Sequence, residues 1–325
     1  MNSKPLNILV INHDWRNIFE TSFHELYDKL ERDRVRPDLN NFFFASWANV
    51  AYVKKRDERF ASVHIKTMWK SFKPMIDFLS VFVVPFVVWK SKFKPDVIFF
   101  YDLGFVLPAR ILKLLYGSKV VLCLNNMPEV YSKTRRFGLI KGWYSFFLER
   151  LFVGLVDIGY TLNATMKQYL LNMGLPESKI RVFAMNTIER DRLHIDSAHV
   201  GEVRKKYGIR DDQKVILCVG RLETEKGYPR LFEVFSKLDK NSVLIVLGRG
   251  SLLEEFKEKT KMLGIAERVI FCGFIHREEI WNYYKDADVF VLLSNAEALG
   301  VVFWEAMYVR VPVVGSMAPG IVETL

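Results

Sequence analysis

This sequence predicts an α/β chain built from two doubly wound parallel sheets, and three observations lead there. Short apolar, β-branched runs alternate with segments of helical spacing along nearly the whole chain. The runs are apolar throughout, as strands buried on both faces are, and no hairpin signal joins neighbours. The alternation also breaks once, at the polar, aperiodic stretch Asp191–Val200, and then restarts. That break divides the chain into an N-terminal domain over 1–190, a linker over 191–200 and a C-terminal domain over 201–325.

Composition agrees. A chain of 325 residues suits two domains of about 150 residues each. With 50% hydrophobic and 26% charged residues it is globular, which excludes disorder as the main state. The formal net charge of +10 favours an anionic partner: a phosphorylated substrate, a membrane surface or nucleic acid. Cys123, Cys218 and Cys272 lie inside apolar runs without metal or redox spacing and read as core thiols in a reducing compartment. The N-terminus enters a strand directly, with no apolar secretory segment, so a cytoplasmic location is expected.

In chain order, Leu6–Ile11 reads as the first strand, followed by His13 at its carboxyl end. Phe19–Leu30 has helical spacing, Asn41–Trp47 is a strand, and Tyr52–Ile65 reads as irregular and basic. Met75–Trp89 is almost wholly apolar, contains Pro85, and is flanked by Lys70, Lys73, Lys90, Lys92 and Lys94. It is shorter than the ~18–20 residues a spanning helix needs. Two readings stay open: a buried crossover helix, which a βαβ unit requires, or an interfacial helix on an anionic membrane. Pro95–Tyr101 is the next strand, Leu107–Leu115 a helix and Lys119–Leu124 a strand. Asn125 and Glu129 follow that strand end. With His13 they are candidates for the acceptor side of a crevice at the strand ends. Lys133, Arg135, Arg136, Lys141, Trp143, Phe146 and Phe147 form a basic and aromatic cluster. Val156–Thr161 and Ile180–Ala184 are strands around a helix over Ala164–Met173.

After the linker, Gly201–Tyr207 is a short helix and Lys214–Val219 a strand. The strand runs into Gly220-Arg221 and, five residues further on, Lys226. Two cations at a strand end suit a diphosphate. An exposed loop pair is the plain alternative. Ser242–Leu247 is a strand ending in Gly248-Arg249-Gly250, Ser251–Leu263 an amphipathic helix and Arg268–Gly273 a strand. Asp286-Ala287-Asp288 has the spacing of a metal site, but Asp288 opens a buried strand and no other ligand is near, so no metal is expected.

The strand Asp288–Leu293 leads into S-N-A-E-A-L-G-V-V-F-W-E-A-M-Y-V-R-V-P over Ser294–Pro312, with a helix opening at Gly300. The amides of Leu299, Gly300 and Val301 would favour phosphate at that helix start. Glu297 and Glu305 repel phosphate and are suited to accept hydrogen bonds from sugar and ribose hydroxyls on either side of it. The plain reading is a helix N-terminal carboxylate and a solvated helix residue. Val311–Gly315 is the last strand.

The E-x7-E segment, the Arg-x4-Lys pair and the Pro319–Glu323 turn resemble glycosyltransferase family 4, a retaining family of two-domain GT-B fold. The resemblance covers 201–323 well and the first domain in outline. Ala298-Leu299-Gly300 replaces a usual Gly-Phe-Gly, and Arg310 a usual glycine. The resemblance implies a nucleoside-diphosphate-sugar donor and no metal or other cofactor. Arg221 and Lys226 would clamp the diphosphate, Glu297 would face the donor sugar and Glu305 the ribose, with Gly220, Leu299, Gly300 and Val301 lining the donor site. The basic and aromatic residues that collect in the first domain suggest a glycan or lipid-linked acceptor, as in cell-envelope polysaccharide synthesis, with peripheral contact to an anionic membrane and no nucleic acid. The family usually continues past the point where this chain stops, so the C-terminal domain is expected to be incomplete. The alternatives are a nucleotide-sugar epimerase of the same fold, a donor-binding protein without transfer, and a basic non-enzymatic binder.

Overall fold

A computed structural model of the chain describes residues 6–12, 41–48, 52–57, 60–66, 73–101, 105–124, 153–182, 199–295 and 297–325, with backbone alone at 12, 41–48, 52–57, 60–66 and 73–79. The chain forms two compact units. Among the described residues the first falls within 6–124, 153–162 and 166–182, and the second takes 163–165 and 199–325. The expected helix over 19–30, the basic and aromatic cluster over 133–147 and the linker over 191–198 lie outside the described residues.

The first unit is built on β1 (Asn7–Asn12), β2 (Asn41–Ala48), β3 (Tyr52–Asp57), β4 (Phe60–Lys66), β5 (Val97–Phe100), β6 (Lys119–Leu124), β7 (Ile158–Thr161) and β8 (Ile180–Val182), in spatial order β3-β4-β2-β1-β5-β6-β7-β8. All neighbours pair in parallel except β3 with β4, which is antiparallel. The stretch Tyr52–Ile65 is therefore two strands rather than irregular chain. Its signal was present: Ala61, Val63 and Ile65 alternate with Ser62, His64 and Lys66, the period of a half-buried strand. The basic composition and the lack of a Gly or Asn turn residue obscured it.

Three helices of this unit are α1 (Lys73–Lys90), α2 (Val106–Tyr116) and α3 (Ala164–Asn172). α1 buries Ser80, Val84 and Val88, one position per turn, as a crossover helix does. Phe82, Phe86 and Trp89 point away from the core and are exposed. No described helix is long and apolar enough to cross a membrane.

The second unit has a fully parallel sheet of β9 (Lys214–Val219), β10 (Ser242–Leu247), β11 (Val269–Gly273), β12 (Val289–Leu292) and β13 (Val313–Gly315), ordered β11-β10-β9-β12-β13. The chain builds outward from β9 to β10 and β11, then returns to place β12 on the other flank of β9. The strand order reverses between β9 and β12, and a ligand crevice forms at the carboxyl ends of such a pair. Among the described residues five α-helices accompany the sheet: α4 (Glu202–Tyr207), α5 (Tyr228–Phe235), α6 (Leu253–Met262), α7 (Ile280–Asp286) and α8 (Val301–Tyr308). Tyr228, Phe232, Trp281, Tyr284, Phe290 and Phe303 fill the core between sheet and helices.

Asp286 and Asp288 have structural partners. Asp286 accepts the amides of Gly201, Val203 and Arg204 at 2.5, 2.8 and 3.2 Å, capping α4. Asp288 accepts the Val215 amide at 2.8 Å and pairs with Arg204 at 3.0 Å and Lys214 at 3.1 Å.

Candidate active site

The loop after β9 begins at Gly220, whose carbonyl accepts the buried Tyr228 hydroxyl at 2.9 Å. Arg221 follows, and a 3-10 turn over Thr224–Lys226 carries the chain to Gly227. Gly227 has φ +69°, and a Cβ there would lie 2.0 Å from the Leu293 carbonyl oxygen. Only glycine fits so close an approach, so this loop lies directly against the end of β12. The Asn295 amide donates to the Glu225 carbonyl at 2.8 Å and fastens the two loops together.

That contact brings Lys226 to Glu297. The Lys226 ammonium donates to Glu297 Oε1 at 2.5 Å, with side chains only 15% and 11% exposed. The hydroxyl of fully buried Ser294 donates to the same oxygen at 2.7 Å. Ser294 is in turn held through its carbonyl, which accepts the Ser316 hydroxyl. Residues 71 positions apart in sequence thus meet at the switch point. Arg221 differs: it is 62% exposed and pairs with Glu225 at 2.6 Å. In water-screened surroundings such a pair is easily exchanged for another anion.

The loop from Glu297 to Gly300 is held along its backbone. The Glu297 amide donates to the Pro319 carbonyl at 3.0 Å, the Thr324 hydroxyl to the Leu299 carbonyl at 3.0 Å, and Asn163 Nδ2 to the Ala298 carbonyl at 2.7 Å. Glu323, in the turn the sequence singled out, accepts the amides of Ala164 and Thr165 at 2.5 and 3.0 Å. Gly300 caps α8 with φ +53°, and Val301 is the first helical residue. The Phe303 amide donates to the Gly300 carbonyl at 2.8 Å, and the amides ahead of it carry the positive end of the helix.

Glu305 lies one turn into α8 and is not the solvated residue of the plain reading. Its Oε2 accepts the buried Tyr284 hydroxyl at 2.7 Å. Burial pushes its carboxyl above the usual range, against the opposing pull of that hydrogen bond and of Arg277. Leu299, Gly300, Val301, Gly220, Arg221, Lys226, Glu297 and Glu305 therefore lie on the loops after β9 and β12 and on the helix that follows. His13, Asn125 and Glu129 lie outside the described residues. Ser294, Tyr284 and Glu225 were not expected from sequence; of these only Ser294, three residues before Glu297, had a spacing that pointed to it.

Residues 200–325 match the family described as glycosyl transferases group 1. The chain is 31% identical over 170 residues to an uncharacterized glycosyltransferase of Methanocaldococcus jannaschii, covering 51% of this chain and 43% of that protein. It is 33% identical over 132 residues to alpha-monoglucosyldiacylglycerol synthase of Streptococcus pneumoniae, covering 40% and 30% respectively. It is 31% identical over 148 residues to a GDP-mannose-dependent alpha-(1-6)-phosphatidylinositol monomannoside mannosyltransferase of Mycolicibacterium smegmatis, covering 42% and 38%. The matched part spans less than half the length of each of these relatives. Among solved structures, sucrose-phosphate synthase from Thermosynechococcus elongatus matches with TM-score 0.74 at 16% identity, covering 97% of this chain and 82% of that one. Anabaena HepE in complex with UDP matches with TM-score 0.69 at 17% identity, covering 98% and 83%. The fold is that of the GT-B glycosyltransferases, and residues 200–325 are similar to the glycosyl transferases group 1 family.

Proposed function

We propose that this protein transfers a sugar, with retention of configuration and without a metal ion, from a nucleoside-diphosphate sugar to a glycan or lipid-linked acceptor in envelope polysaccharide synthesis. The observation that carries the reading is the Lys226–Glu297 contact at the switch point, beside the start of α8. An ammonium has three donors, so Lys226 can keep Glu297 in place and still hold a phosphate oxygen. Arg221, on the exposed side of the same loop, supplies the second cation by exchanging Glu225 for the diphosphate. Together with the first amides of α8 these groups neutralise the charge that builds on the leaving diphosphate.

Glu297, fixed by Lys226 and Ser294, keeps Oε2 for a sugar hydroxyl and places negative charge beside a ring that becomes cationic as the bond breaks. Glu305 accepts a ribose hydroxyl while Tyr284 holds its other side. The incoming hydroxyl attacks from the face the diphosphate leaves, and the departing phosphate oxygen takes its proton, so no protein nucleophile is required. Binding from the lipid or glycan side belongs to the first unit, and the protein works on the cytoplasmic face. Two of the relatives, an alpha-monoglucosyldiacylglycerol synthase and a phosphatidylinositol monomannoside mannosyltransferase, support a lipid-linked acceptor class.

The test is donor turnover in Lys226→Ala. Losing this cation should cost about 3 kcal/mol of transition-state stabilisation, roughly a hundredfold in kcat/KM. An unchanged kcat/KM in a variant that still melts cooperatively would remove the clamp.

A further inference from the structure

We propose that the outward face of α1, with the end of α2, is a docking surface for an anionic lipid bilayer. α1 is apolar on two sides. Ser80, Val84 and Val88 hold one side in the core, while Phe82, Phe86 and Trp89, spaced i, i+4, i+7, line the other. These three are 63%, 56% and 66% exposed, and the rings of Phe86 and Trp89 lie 6.0 Å apart. Leu114 and Leu115, in the last turn of α2, which packs on α1, are 70% and 62% exposed. Single exposed apolar residues are ordinary; three exposed aromatics along one face of a helix, with two exposed leucines on the helix packed against it, are of the kind that marks an interaction surface.

Charge selects the occupant. Lys90, Lys92 and Lys94 leave the Trp89 end of the stripe and are all exposed. Lys119, also exposed, begins β6 next to them, its amide bonded to the Asp96 carbonyl. Among the described residues no carboxylate forms an ion pair with these four lysines: Asp96 accepts the Asn7 amide at 2.8 Å, and Asp157 is held by Lys113 and the Val120 amide. An aromatic stripe ending in four exposed lysines matches the boundary between acyl chains and anionic headgroups. The buried side of α1 keeps the helix in the fold, so it lies on the bilayer and does not span it. A second copy of this chain is a poorer occupant, because a two-fold contact through this face would bring its lysines against their own counterparts.

Vesicle flotation tests this, and because it reads no catalysis its outcome is independent of the donor-site reading. The whole chain should float with vesicles of phosphatidylcholine and phosphatidylglycerol, should not float with phosphatidylcholine alone, and should be released by salt. The variant F82S/F86S/W89S should partition about tenfold less or worse. The variant K90E/K92E/K94E should do the same, and both should keep the wild-type melting temperature within a few degrees. No flotation with the anionic vesicles, equal flotation with neutral ones, or wild-type partitioning of the aromatic variant would overturn the proposal. So would a wild-type dimer that the aromatic variant disperses in the absence of lipid binding.

Discussion

Glu305 is kept in a site that disfavours its charge, and the sign of that conflict can be measured. Its folded pKa lies above the unfolded value of about 4.3, so the native state binds more protons than the unfolded one across that interval. Stability should therefore fall as pH rises from about 4 through the raised pKa, and stay lower above it. Glu305→Gln keeps an acceptor for Tyr284 and removes the buried charge. It should raise Tm at pH 7, flatten the Tm–pH profile on the acid side of neutrality and weaken donor binding, all in one variant. A lower Tm at pH 7 would show that the carboxylate stabilises the fold. Asp288 has the opposite sign: burial alone would raise it, but the Val215 amide, Lys214 and Arg204 outweigh that and hold it low. Its contribution is present above the unfolded pKa and is lost as pH falls through the folded one. Glu297 and Lys226 were legible in the sequence because each sits at a fixed distance from the end of an apolar strand. Ser294 had only its spacing to Glu297 to mark it, and Tyr284 had nothing local, because its role depends on which side chains the fold brings beside it. Tyr284 comes from a different helix from Glu305, and no local spacing records that contact.

The C-terminus of α8 shows the same division between local and tertiary signals. The Arg310 amide donates to the Met307 carbonyl at 2.9 Å and the Val311 amide to the Ala306 carbonyl at 3.0 Å, the pair of bonds that closes a helix through a left-handed residue. Arg310 is that residue, with φ +64°, where the family resembled usually has glycine. Val311 and Ala306, both buried, make the apolar contact that accompanies such a cap, and Pro312 prevents the helix from continuing. Arg310→Gly should thus stabilise the protein by about 1 kcal/mol, relieving the steric cost of a side chain in that region. Chemical denaturation checks it, and a variant less stable than wild type would mean that the arginine side chain contributes more than its backbone costs. Elements with fully apolar patterns were readable to the residue: Lys214–Val219 and Ser242–Leu247 have the bounds that the sequence suggested. The β3–β4 pair was missed because its alternation is carried by Ala, Val and Ile between basic and polar residues. For α1 composition gave the helix, but only packing tells which apolar residues face the core and which face outward.

 In the molecule as a whole, the strand order of the second unit decides where the chemistry sits. The paired residues Ile216 of β9 and Val289 of β12 are 73 positions apart in sequence, yet the two strands are hydrogen-bonded neighbours through Ile216–Val289 and Leu217–Phe290. The loops that leave these two strands carry both Arg221 and Lys226 on one side and Glu297 on the other, so the Lys226–Glu297 contact follows from topology as much as from motif. Strand alternation made the doubly wound fold legible. The adjacency of β9 and β12 was not, because periodicity identifies strands without ordering them in a sheet.

The central claim is that Lys226 and Glu297, with the start of α8, grip a nucleoside-diphosphate sugar without a metal. Titration calorimetry in EDTA tests it most directly, with UDP-, GDP- and ADP-sugars against the wild type and Lys226→Ala. The account predicts saturable binding of at least one of the three donors by the wild type, weakened about tenfold or more in Lys226→Ala, where one charged phosphate contact is lost. Equal affinity in the two proteins, or binding that EDTA abolishes, would contradict it.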